Sequence, residues 1–446
     1  MKPDPVLVAA SEVIGGPRGR YAPAGKLPWA VTAALLSALA AIPVGFGVLL
    51  RVPCLRTHWT GAGQFWNACY ADLPSTFRDA NVDAGLGAFL QGGSGAPVTG
   101  QPPLTGLLLT AMASLVPDGR AGTRIAWYFA LWAAVLTVLL LAVIWLVASS
   151  ARHPIVAAHV ALSPIVALSL FLSADFVGVA LAAAGLWAWG RRHTTLAGVL
   201  LGLAISARSY PVLILIAIGL LALRSGHLRD YRRTVGYAVL IVLAVWAGLW
   251  LLNPEAAGSA YSGWWNATAG YGSPWLLPQL GSHAMPTGVV TALAVLGWVV
   301  AIGVGATLAL SSVRRPTIAE VSLVMVGIVL VTGKSFTVQS SLWLIPLVAW
   351  CALQWRDHLV WAATEALNFV AVWLVIAATT VPDRGLPSAW YSTFAMLRVV
   401  AVLWLVAIVW WGARDRRDGQ GGPEQEQDDL AGVMTDAEDR VLVRIT

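Results

Sequence analysis

Charged residues are scarce in this chain. Asp, Glu, Lys and Arg make up 11% of its 446 residues, whereas a soluble domain carries about 25%. Hydrophobic residues make up 58%. A water-soluble fold of this composition would expose large apolar patches. The low charge therefore argues against a soluble globular domain and favours a protein whose surface lies largely in lipid.

Segments of about ten residues with alternating polarity, which are typical of membrane-spanning strands, are lacking as well. Apolar runs near 20 residues recur instead, and a bilayer core of roughly 30 Å needs about that many to be crossed by a helix. The sequence predicts an all-α, polytopic transmembrane helix bundle of twelve spans. The predicted spans are 28–50, 124–149, 154–173, 175–190, 194–207, 209–223, 235–252, 286–310, 317–333, 338–355, 358–380 and 391–413.

Cysteine is also rare. Three cysteines are too few for a disulfide framework. Cys54 and Cys69 fall in one predicted extracytoplasmic loop, where a bridge is chemically permitted, and the sequence leaves the bonded and free forms equally open. Cys351 lies inside an apolar run, so we expect it to be a packing residue.

The net charge of +6 is spread over short basic clusters between the apolar runs and forms no single basic face. This distribution predicts no nucleic-acid partner and indicates a topological cause, since Lys and Arg favour the cytoplasmic side of membrane proteins. The sequence therefore predicts a multi-pass plasma-membrane protein with both termini in the cytoplasm. The expected cytoplasmic groups are Arg152; Arg191 and Arg192; Arg224, Arg229, Arg232 and Arg233; Arg314 and Arg315; Arg356; and Arg414, Arg416 and Arg417.

The spans divide the chain into three parts. We expect a cytoplasmic N-terminal segment at 1–27, a transmembrane domain at 28–413 and a cytoplasmic tail at 414–446. The tail contains the run GQGGPEQEQDD. Such polar, acidic composition is typical of disorder.

Two large extracytoplasmic loops are predicted. The first, 51–123, is polar and Gly-rich, and loops of that length are usually functional or disordered. Its short apolar run at 104–117 is predicted to be an interfacial or re-entrant helix. The second, 253–285, has no Lys or Arg and is rich in Trp, Tyr and Gly, as expected of a loop lying on a membrane interface.

A few ionisable residues fall on the predicted outer side, where their cost in a membrane makes them candidates for function. Asp72 lies in CYADLP, Asp175 begins a predicted span, Arg208 lies in ARSYP and Lys334 heads GKSFTVQSSLWLIP. A carboxylate can act as general base on a hydroxyl, while Arg and Lys can hold a phosphate leaving group. This set suits transfer of a group from a lipid-linked phosphate donor.

Structural roles compete with these assignments. Asp72 and Asp175 are placed where a carboxylate can cap a helix, and Arg208 and Lys334 are placed where basic chains reach the headgroups. Asp79 and Asp83 in the first loop are expected to be solvated. Glu320 and Glu365, nearer the cytoplasmic half, are expected to form structural pairs. The residues alone leave the catalytic and structural interpretations open.

The chain resembles the polyprenol-phosphate-sugar-dependent membrane glycosyltransferases of the C-type fold, and most of all family 87, the actinobacterial mannosyl- and arabinofuranosyltransferases. The resemblance covers most of 28–380. It is carried by CYADLP at 69–74, QPPLTG at 101–106 with Arg124 after it, the stretch from SADFVGVAL to ISARSYPVLIL at 173–216, and KSFTVQSSLWLIPLVAW at 334–350 with Glu365 and Asn368 in the next span.

The resemblance implies that Asp72 is the catalytic base, that Asp175 is a second acidic site residue, and that Arg208 and Lys334 contact the donor phosphate. No residue is assigned as a metal ligand, no cofactor is implied with certainty, and a divalent-metal requirement stays open. Gln101 stands where related chains often have an acidic residue or Lys, Arg208 replaces the commoner Lys, and Ser340 replaces an aromatic. Further candidates for substrate binding are Tyr70, Gln101, Tyr210, His283 and Gln339.

The expected function is transfer of a sugar, with mannose as the leading expectation, from a polyprenyl-phosphate donor to an envelope glycolipid or polysaccharide acceptor on the extracytoplasmic face. An arabinofuranosyltransferase that uses a decaprenyl-phosphate donor is the alternative within the family. A transporter or flippase is a rival, but it would place polar residues in both halves of the spans. A non-catalytic membrane scaffold of envelope assembly is a second rival, to which the residues at Gln101 and Ser340 lend weight.

Overall fold

Helices are the only regular elements in the part of the chain that the structure describes. The computed structural model describes residues 4–6, 9–10, 27–381, 385–416 and 428–439. Most of the predicted N-terminal segment 1–27 lies outside these ranges. The prediction of an all-helical protein is confirmed for the residues described.

Six helices are long and apolar enough to cross a membrane, among the described residues. They contain 25 to 30 residues each, so they are roughly 38–45 Å long at a rise of about 1.5 Å per residue. Their apolar faces are only partly covered by the rest of the protein, as expected of helices that contact lipid. They are Trp29–Thr57, Ala121–Ser150, Leu228–Leu252, Thr287–Ser311, Trp355–Thr380 and Ser388–Arg414.

Seven apolar segments are shorter, at 10 to 17 residues. The first, Pro103–Ala113, is the short helix expected in the first loop. The other six coincide with the remaining six predicted spans but fall short of the about 20 residues that a straight crossing needs. The twelve-span count therefore stays a prediction. They are Pro154–Ser169, Asp175–Gly190, Thr194–Ala207, Pro211–Ser225, Ile318–Thr332 and Val338–Trp350.

Two of these short segments are interrupted. The predicted span 154–173 is a 3-10 turn followed by helices Ala158–Ala161 and Pro164–Ser169. The break occurs because Pro164 has no N–H to continue a helix, and the Ser163 hydroxyl instead accepts from the amide of Ile165. The predicted span 338–355 is likewise a 3-10 turn, Val338–Trp343, followed by the helix Ile345–Trp350. Neither predicted span is therefore a single continuous α-helix, and whether these two segments cross the membrane stays a prediction.

The two predicted loops contain several short elements. The first apolar helix reaches Thr57, so the first loop begins later than the predicted residue 51. The elements of this loop are Gly63–Trp66, Asp72–Asp79, the 3-10 turn Val82–Ala84, Gly85–Gln91 and Pro103–Ala113. Those of the second are Pro254–Asn266, the 3-10 turn Pro274–Leu276 and Leu277–Leu280.

A disulfide joins Cys54 to Cys69. Cys54 lies in the last turns of the first apolar helix, and Cys69 lies in the first loop, three positions before Asp72. The bond therefore fastens this part of the loop to the end of that helix. The indole N–H of Trp59 donates to the carbonyl of Cys69 at 3.3 Å inside the same buried turn. The sequence left this bond open, and the structure contains it.

Residues 428–439, which we call the strap, pack on one end of the bundle. Leu430, Ala431 and Met434 are buried in it, and Gly432 begins its 3-10 turn Gly432–Met434. The prediction of a disordered tail from residue 414 is therefore wrong for these residues. The composition of 414–427 is polar, but the strap carries enough apolar side chains to be held.

Carboxylates of the strap bind arginines from three separate helix ends. Asp429 pairs with Arg152 at 3.2 Å, Asp436 with Arg192 at 3.2 Å and Asp439 with Arg224 at 2.6 Å. We call this the arginine end of the bundle. Glu320 lies at this end too. It forms a capping box with Thr317 and pairs with Arg416, which confirms its predicted structural role.

Candidate functional site

Asp72 brings three distant segments together. It is the first residue of the helix Asp72–Asp79, and its amide donates to the carbonyl of Leu172 at 2.7 Å. Its carboxylate caps no helix. The carboxylate instead accepts a hydrogen bond of 2.9 Å from the side-chain amide of Gln339. The first loop, the segment before Asp175 and the 3-10 turn Val338–Trp343 therefore meet at Asp72.

Asp175 is the first residue of the helix Asp175–Gly190 and is 4% exposed. Its carboxylate accepts from the hydroxyl of Ser173 at 2.8 Å and from the indole N–H of Trp343 at 3.3 Å. It also forms an ion pair with Arg208. A buried carboxylate needs such partners because an unpaired one is expensive in a low-dielectric interior.

Arg208 lies in the short connection between the helices Thr194–Ala207 and Pro211–Ser225. Besides its ion pair with Asp175, it donates from Nη1 to the side-chain carbonyl of Gln101 at 2.7 Å. Its Nε is buried and has no partner among the described residues. A Cβ at Gly178 would lie 3.0 Å from Cγ of Arg208, so the glycine leaves room for the side chain. One N–H of this guanidinium is thus available to a ligand.

Two predicted tyrosines line the same region. The ring of Tyr210 stacks on that of Trp343, with centroids 4.6 Å apart. The ring of Tyr70 lies 4.9 Å from that of Trp373, and the Tyr70 side chain lies close enough to Asp72 to influence the pKa of its carboxylate. The predicted residues Tyr70, Gln101, Tyr210 and Gln339 therefore all belong to the cluster around Asp72 and Asp175.

The electrostatics of this cluster make Asp72 a stronger base than an ordinary aspartate. Burial, and next the neighbouring carboxylate of Asp175, raise the pKa of Asp72 from 3.8 to about 6, although Tyr70, Arg208 and Gln339 partly oppose the shift. Burial and the charge of Asp72 likewise raise the pKa of Tyr70 above its ordinary value. Asp72 is therefore ionised at neutral pH, with a basicity suited to proton abstraction.

Lys334 has a different environment from the predicted one. Its ammonium donates to the carbonyls of Trp264, Trp265 and Ala267 at 2.7, 3.0 and 3.0 Å and lies 4.7 Å from the centroid of a Trp264 ring. All three N–H donors of the ammonium are thereby used. Lys334 stabilises the C-terminus of the helix Pro254–Asn266, and a phosphate contact would require these bonds to break.

Other candidates of the loops lie outside the cluster. His283 is exposed, and its ring bonds only locally, to the carbonyl of Gly281 at 2.8 Å. Asp79 pairs with Arg78, and Asp83 pairs with Arg124. The structure thus does not bring His283 to the residues around Asp72.

Sequence reasoning missed Arg398, which holds the segment that carries Gln339. Its guanidinium pairs with Glu365 at 2.7 Å and donates to the carbonyl of Thr337 and the hydroxyl of Ser341, both at 2.8 Å. This confirms structural pairing for Glu365. The signal was present in the sequence, because an arginine inside an apolar run indicates a buried partner.

Sequence reasoning also missed Arg51. This arginine lies within the first apolar helix and is fully buried. Its Nη2 donates to the carbonyl of Leu168 at 3.0 Å, and its charge acts on that of Asp72. Its burial was not predicted because it lies at the boundary between a predicted span and a predicted loop, where basic residues usually face the headgroups.

Comparisons with protein-family models and with curated proteins find no match to this chain.

Proposed function

We propose that this chain is an integral membrane glycosyltransferase that moves a sugar, with mannose as the leading candidate, from a polyprenyl-phosphate donor to an envelope glycolipid or polysaccharide. The observation that carries the proposal is the Asp72 carboxylate, whose pKa is raised to about 6. It is held by Gln339 beside the ion pair of Asp175 and Arg208. A base of raised pKa next to an anion-binding group suits acyl, phosphoryl or glycosyl transfer, and the resemblance to family 87 selects the last.

The proposed reaction is a single displacement with inversion at the anomeric carbon. Asp72 removes the proton of the acceptor hydroxyl as its oxygen bonds to that carbon. The bond from the carbon to the phosphate oxygen breaks, and polyprenyl phosphate leaves with the electron pair. Arg208 stabilises the departing phosphate through its free Nε–H, while Asp175 and Gln101 fix the guanidinium in place.

The proposed membrane orientation follows from the basic clusters. We place the arginine end in the cytoplasm because Lys and Arg favour that side, and with it both chain ends. The Asp72 cluster then lies at the extracytoplasmic face, where a lipid-linked donor can reach it from the bilayer. The six short apolar segments outside the first loop complete twelve spans in this arrangement.

A non-catalytic scaffold of envelope assembly is the second candidate. It is favoured by Lys334, whose ammonium is fully used by backbone carbonyls, so one of the two cations expected at a donor site is committed elsewhere. A scaffold would bind an envelope-assembly partner without transferring sugar. Asp72 would then be dispensable for its function.

The deciding experiment measures sugar transfer in membranes that contain the protein. Radiolabelled polyprenyl-phosphate mannose is supplied in one assay, and the arabinofuranose donor in a parallel one. We expect Asp72→Asn and Asp72→Ala to lose transfer by about 10²- to 10⁴-fold, the usual contribution of a general base. Asp118→Asn is the matched control, since Asp118 is an exposed carboxylate of the same loop. Full transfer by either Asp72 variant would refute the assignment.

The acceptor is identified by deleting the gene and comparing envelope glycolipids and polysaccharides with those of the parent strain. Loss of one defined glycoform, restored by the wild-type gene and not by Asp72→Asn, supports a glycosyltransferase. Restoration of the glycoform by Asp72→Asn would instead support the scaffold.

A further inference from the structure

Besides Nε of Arg208, three more buried N–H donors near Asp72 have no hydrogen-bond partner among the described residues. They are Nε and Nη1 of Arg51 and the indole Nε1 of Trp373. Arg51 is 0% exposed and Trp373 is 7% exposed, so neither side chain is in contact with bulk water. Buried polar groups are nearly always paired, and a buried cation without compensation is strongly unfavourable. These donors therefore require a partner that the described residues do not provide.

The donors belong to one continuous wall that ends at Asp72. The guanidinium of Arg51 lies 5.8 Å from the centroid of the Phe369 ring. The Phe369 ring lies 6.0 Å from that of Trp373, which in turn lies 4.9 Å from that of Tyr70. The Tyr70 side chain in turn lies close enough to Asp72 to influence the pKa of its carboxylate. Arg51, Phe369, Trp373 and Tyr70 thus form a continuous row of neighbouring side chains that ends beside the proposed base.

The backbone fixes Arg51 and Asp72 to the same segment. Arg51 donates from Nη2 to the carbonyl of Leu168, and the amide of Asp72 donates to the carbonyl of Leu172. The side chain of Arg51 is therefore positioned before any ligand arrives. Preorganised donors of this kind bind an anion without paying the entropy of ordering a flexible chain.

Asp72 does not supply the missing partner. Its carboxylate already accepts from Gln339, and the Arg51 nitrogens Nε and Nη1 stay unpaired in its presence. The unpaired atoms of Arg51 and Trp373 are all N–H donors, and Arg51 is also a cation. An anion with several acceptor oxygens is complementary to such a set, and phosphate is the anion that arginine recognises best.

We propose that Arg51 and Trp373 bind a phosphate group beside Asp72. This inference rests on the proposed function, because it assigns the phosphate to a polyprenyl-linked substrate. Arg51 would be the second cation of the site beside Arg208. Lys334 does not fill that role because its ammonium binds carbonyls at a helix end. Arg51 and Arg208 would then both act on the phosphate, the first from the end of the first apolar helix and the second from the ARSYP connection.

The test measures binding to the full-length protein in lipid nanodiscs, with three probes. These are geranylgeranyl phosphate, geranylgeraniol, which lacks the phosphate, and inorganic phosphate as competitor. We expect the wild-type protein to bind the prenyl phosphate at least about tenfold more tightly than the alcohol, a difference of about 1.4 kcal/mol. If inorganic phosphate displaces the prenyl phosphate, the site is assigned to free phosphate. If inorganic phosphate does not displace it, the site is assigned to the lipid-linked group.

Three variants probe the two side chains separately. Arg51→Gln should abolish the preference for the phosphate, and Arg51→Lys should restore part of it, because the charge is kept while the planar donors are lost. Trp373→Phe keeps an aromatic, though smaller, side chain and removes the indole N–H, so it should weaken prenyl-phosphate binding by a few-fold more than geranylgeraniol binding. Arg191→Gln is the control, since Arg191 is exposed and bonds to Ser149.

Equal binding of phosphate and alcohol by the wild type would overturn the inference. So would an unchanged preference in both Arg51→Gln and Trp373→Phe. Trp373→Phe keeps the test decisive even where Arg51→Gln fails to fold. The two proposals also fail separately. A phosphate preference that depends on Arg51, in a protein that transfers no sugar, refutes only the glycosyltransferase. Sugar transfer with a preference indifferent to Arg51 refutes only the phosphate site.

Discussion

The side-chain amide of Gln339 donates a hydrogen bond of 2.9 Å to the carboxylate of Asp72, across 267 positions of the chain. Arg398 holds the turn that carries Gln339 by binding the carbonyl of Thr337 and the hydroxyl of Ser341. A buried ion pair with Glu365 in turn orients Arg398. The position of the proposed base therefore depends on a polar network that extends into two long helices.

Transfer should depend on pH through Asp72. The pKa of Asp72 is raised from 3.8 to about 6, and only the ionised form can accept the acceptor's proton. We expect the rate at low substrate to be halved near pH 6 and to fall by about tenfold for each unit below it. The proposed donor is a phosphodiester without a second phosphate ionisation, so it would not mask the profile.

The measurement is the rate of transfer between pH 5 and pH 8 at low donor concentration. Asp118→Asn should reproduce the wild-type profile. A wild-type rate that stays constant from pH 5 to pH 8 would show that the carboxylate of Asp72 does not carry the proton.

Gln101→Glu should weaken donor binding. Gln101 accepts from Nη1 of Arg208 at 2.7 Å, and Asp175 already neutralises this guanidinium from its other side. A second carboxylate would lower the positive potential offered to the phosphate. We expect the KM for the donor to rise about tenfold, with a smaller change in kcat.

Gln101→Asn serves as the control, because it keeps a neutral amide of shorter reach. An unchanged or lower KM in Gln101→Glu would mean that Arg208 does not meet the phosphate.

Lys334→Gln should destabilise the protein while sparing donor binding. Its ammonium satisfies three carbonyls at the end of the helix Pro254–Asn266. Loss of charged hydrogen bonds at a helix C-terminus costs about 1–3 kcal/mol. Thermal unfolding in nanodiscs should therefore shift to lower temperature, and the KM for the donor should stay within a factor of two of the wild-type value.

Arg208→Gln gives the opposite pattern, with a raised KM for the donor. If Lys334→Gln raised the KM for the donor strongly and left the stability unchanged, the result would instead support the phosphate contact that the sequence predicts for this lysine.

Gly432→Ala should detach the strap. Gly432 has a φ of +58°, and a Cβ there would lie 2.1 Å from the carbonyl oxygen of Trp189. Alanine meets both a backbone conformation that L residues avoid and a contact too short to keep. We expect residues 428–439 to become sensitive to protease and to exchange their amide hydrogens faster.

Gly412→Ala is the matched control, because Gly412 is helical and has open space where a Cβ would lie. Protection of the strap in Gly432→Ala equal to that in the wild type would contradict the close packing against Trp189.

Much of the bundle follows from composition. Long apolar runs need lipid and internally bonded backbone, and helices satisfy both, so all six long helices lie on predicted spans. The interruptions at Pro164 and within 338–355 depend on local capping and packing, which apolar content does not report. The strap was missed for a related reason: Leu430 and Met434 are too few to alter a polar, acidic composition, yet they suffice to bury a short segment.

The candidate site could be predicted for residues that flank the ends of helices on the same side of the bundle. Asp175 and Arg208 flank short apolar helices that run in opposite directions, so the topology alone places them together. The topology places Lys334 at the same end of the bundle as well. Its ammonium nevertheless binds the carbonyls of Trp264 and Trp265, whose position depends on how the second loop folds. The proposed role of Arg51 could not be predicted from the sequence, because it rests on two unpaired nitrogens. Their lack of partners follows only from the positions of the surrounding residues.

The strap has a consequence for biogenesis. The guanidinium of Arg224 is fully buried, donates to the carbonyl of Ala309 at 2.9 Å and pairs with Asp439, 215 positions later in the chain. The ribosome delivers that carboxylate only after every long helix has entered the bilayer. Until then this guanidinium has, among the described residues, only the carbonyls of Ala309 and Val313 as partners and no carboxylate, so locking of this end of the bundle is a post-insertional event.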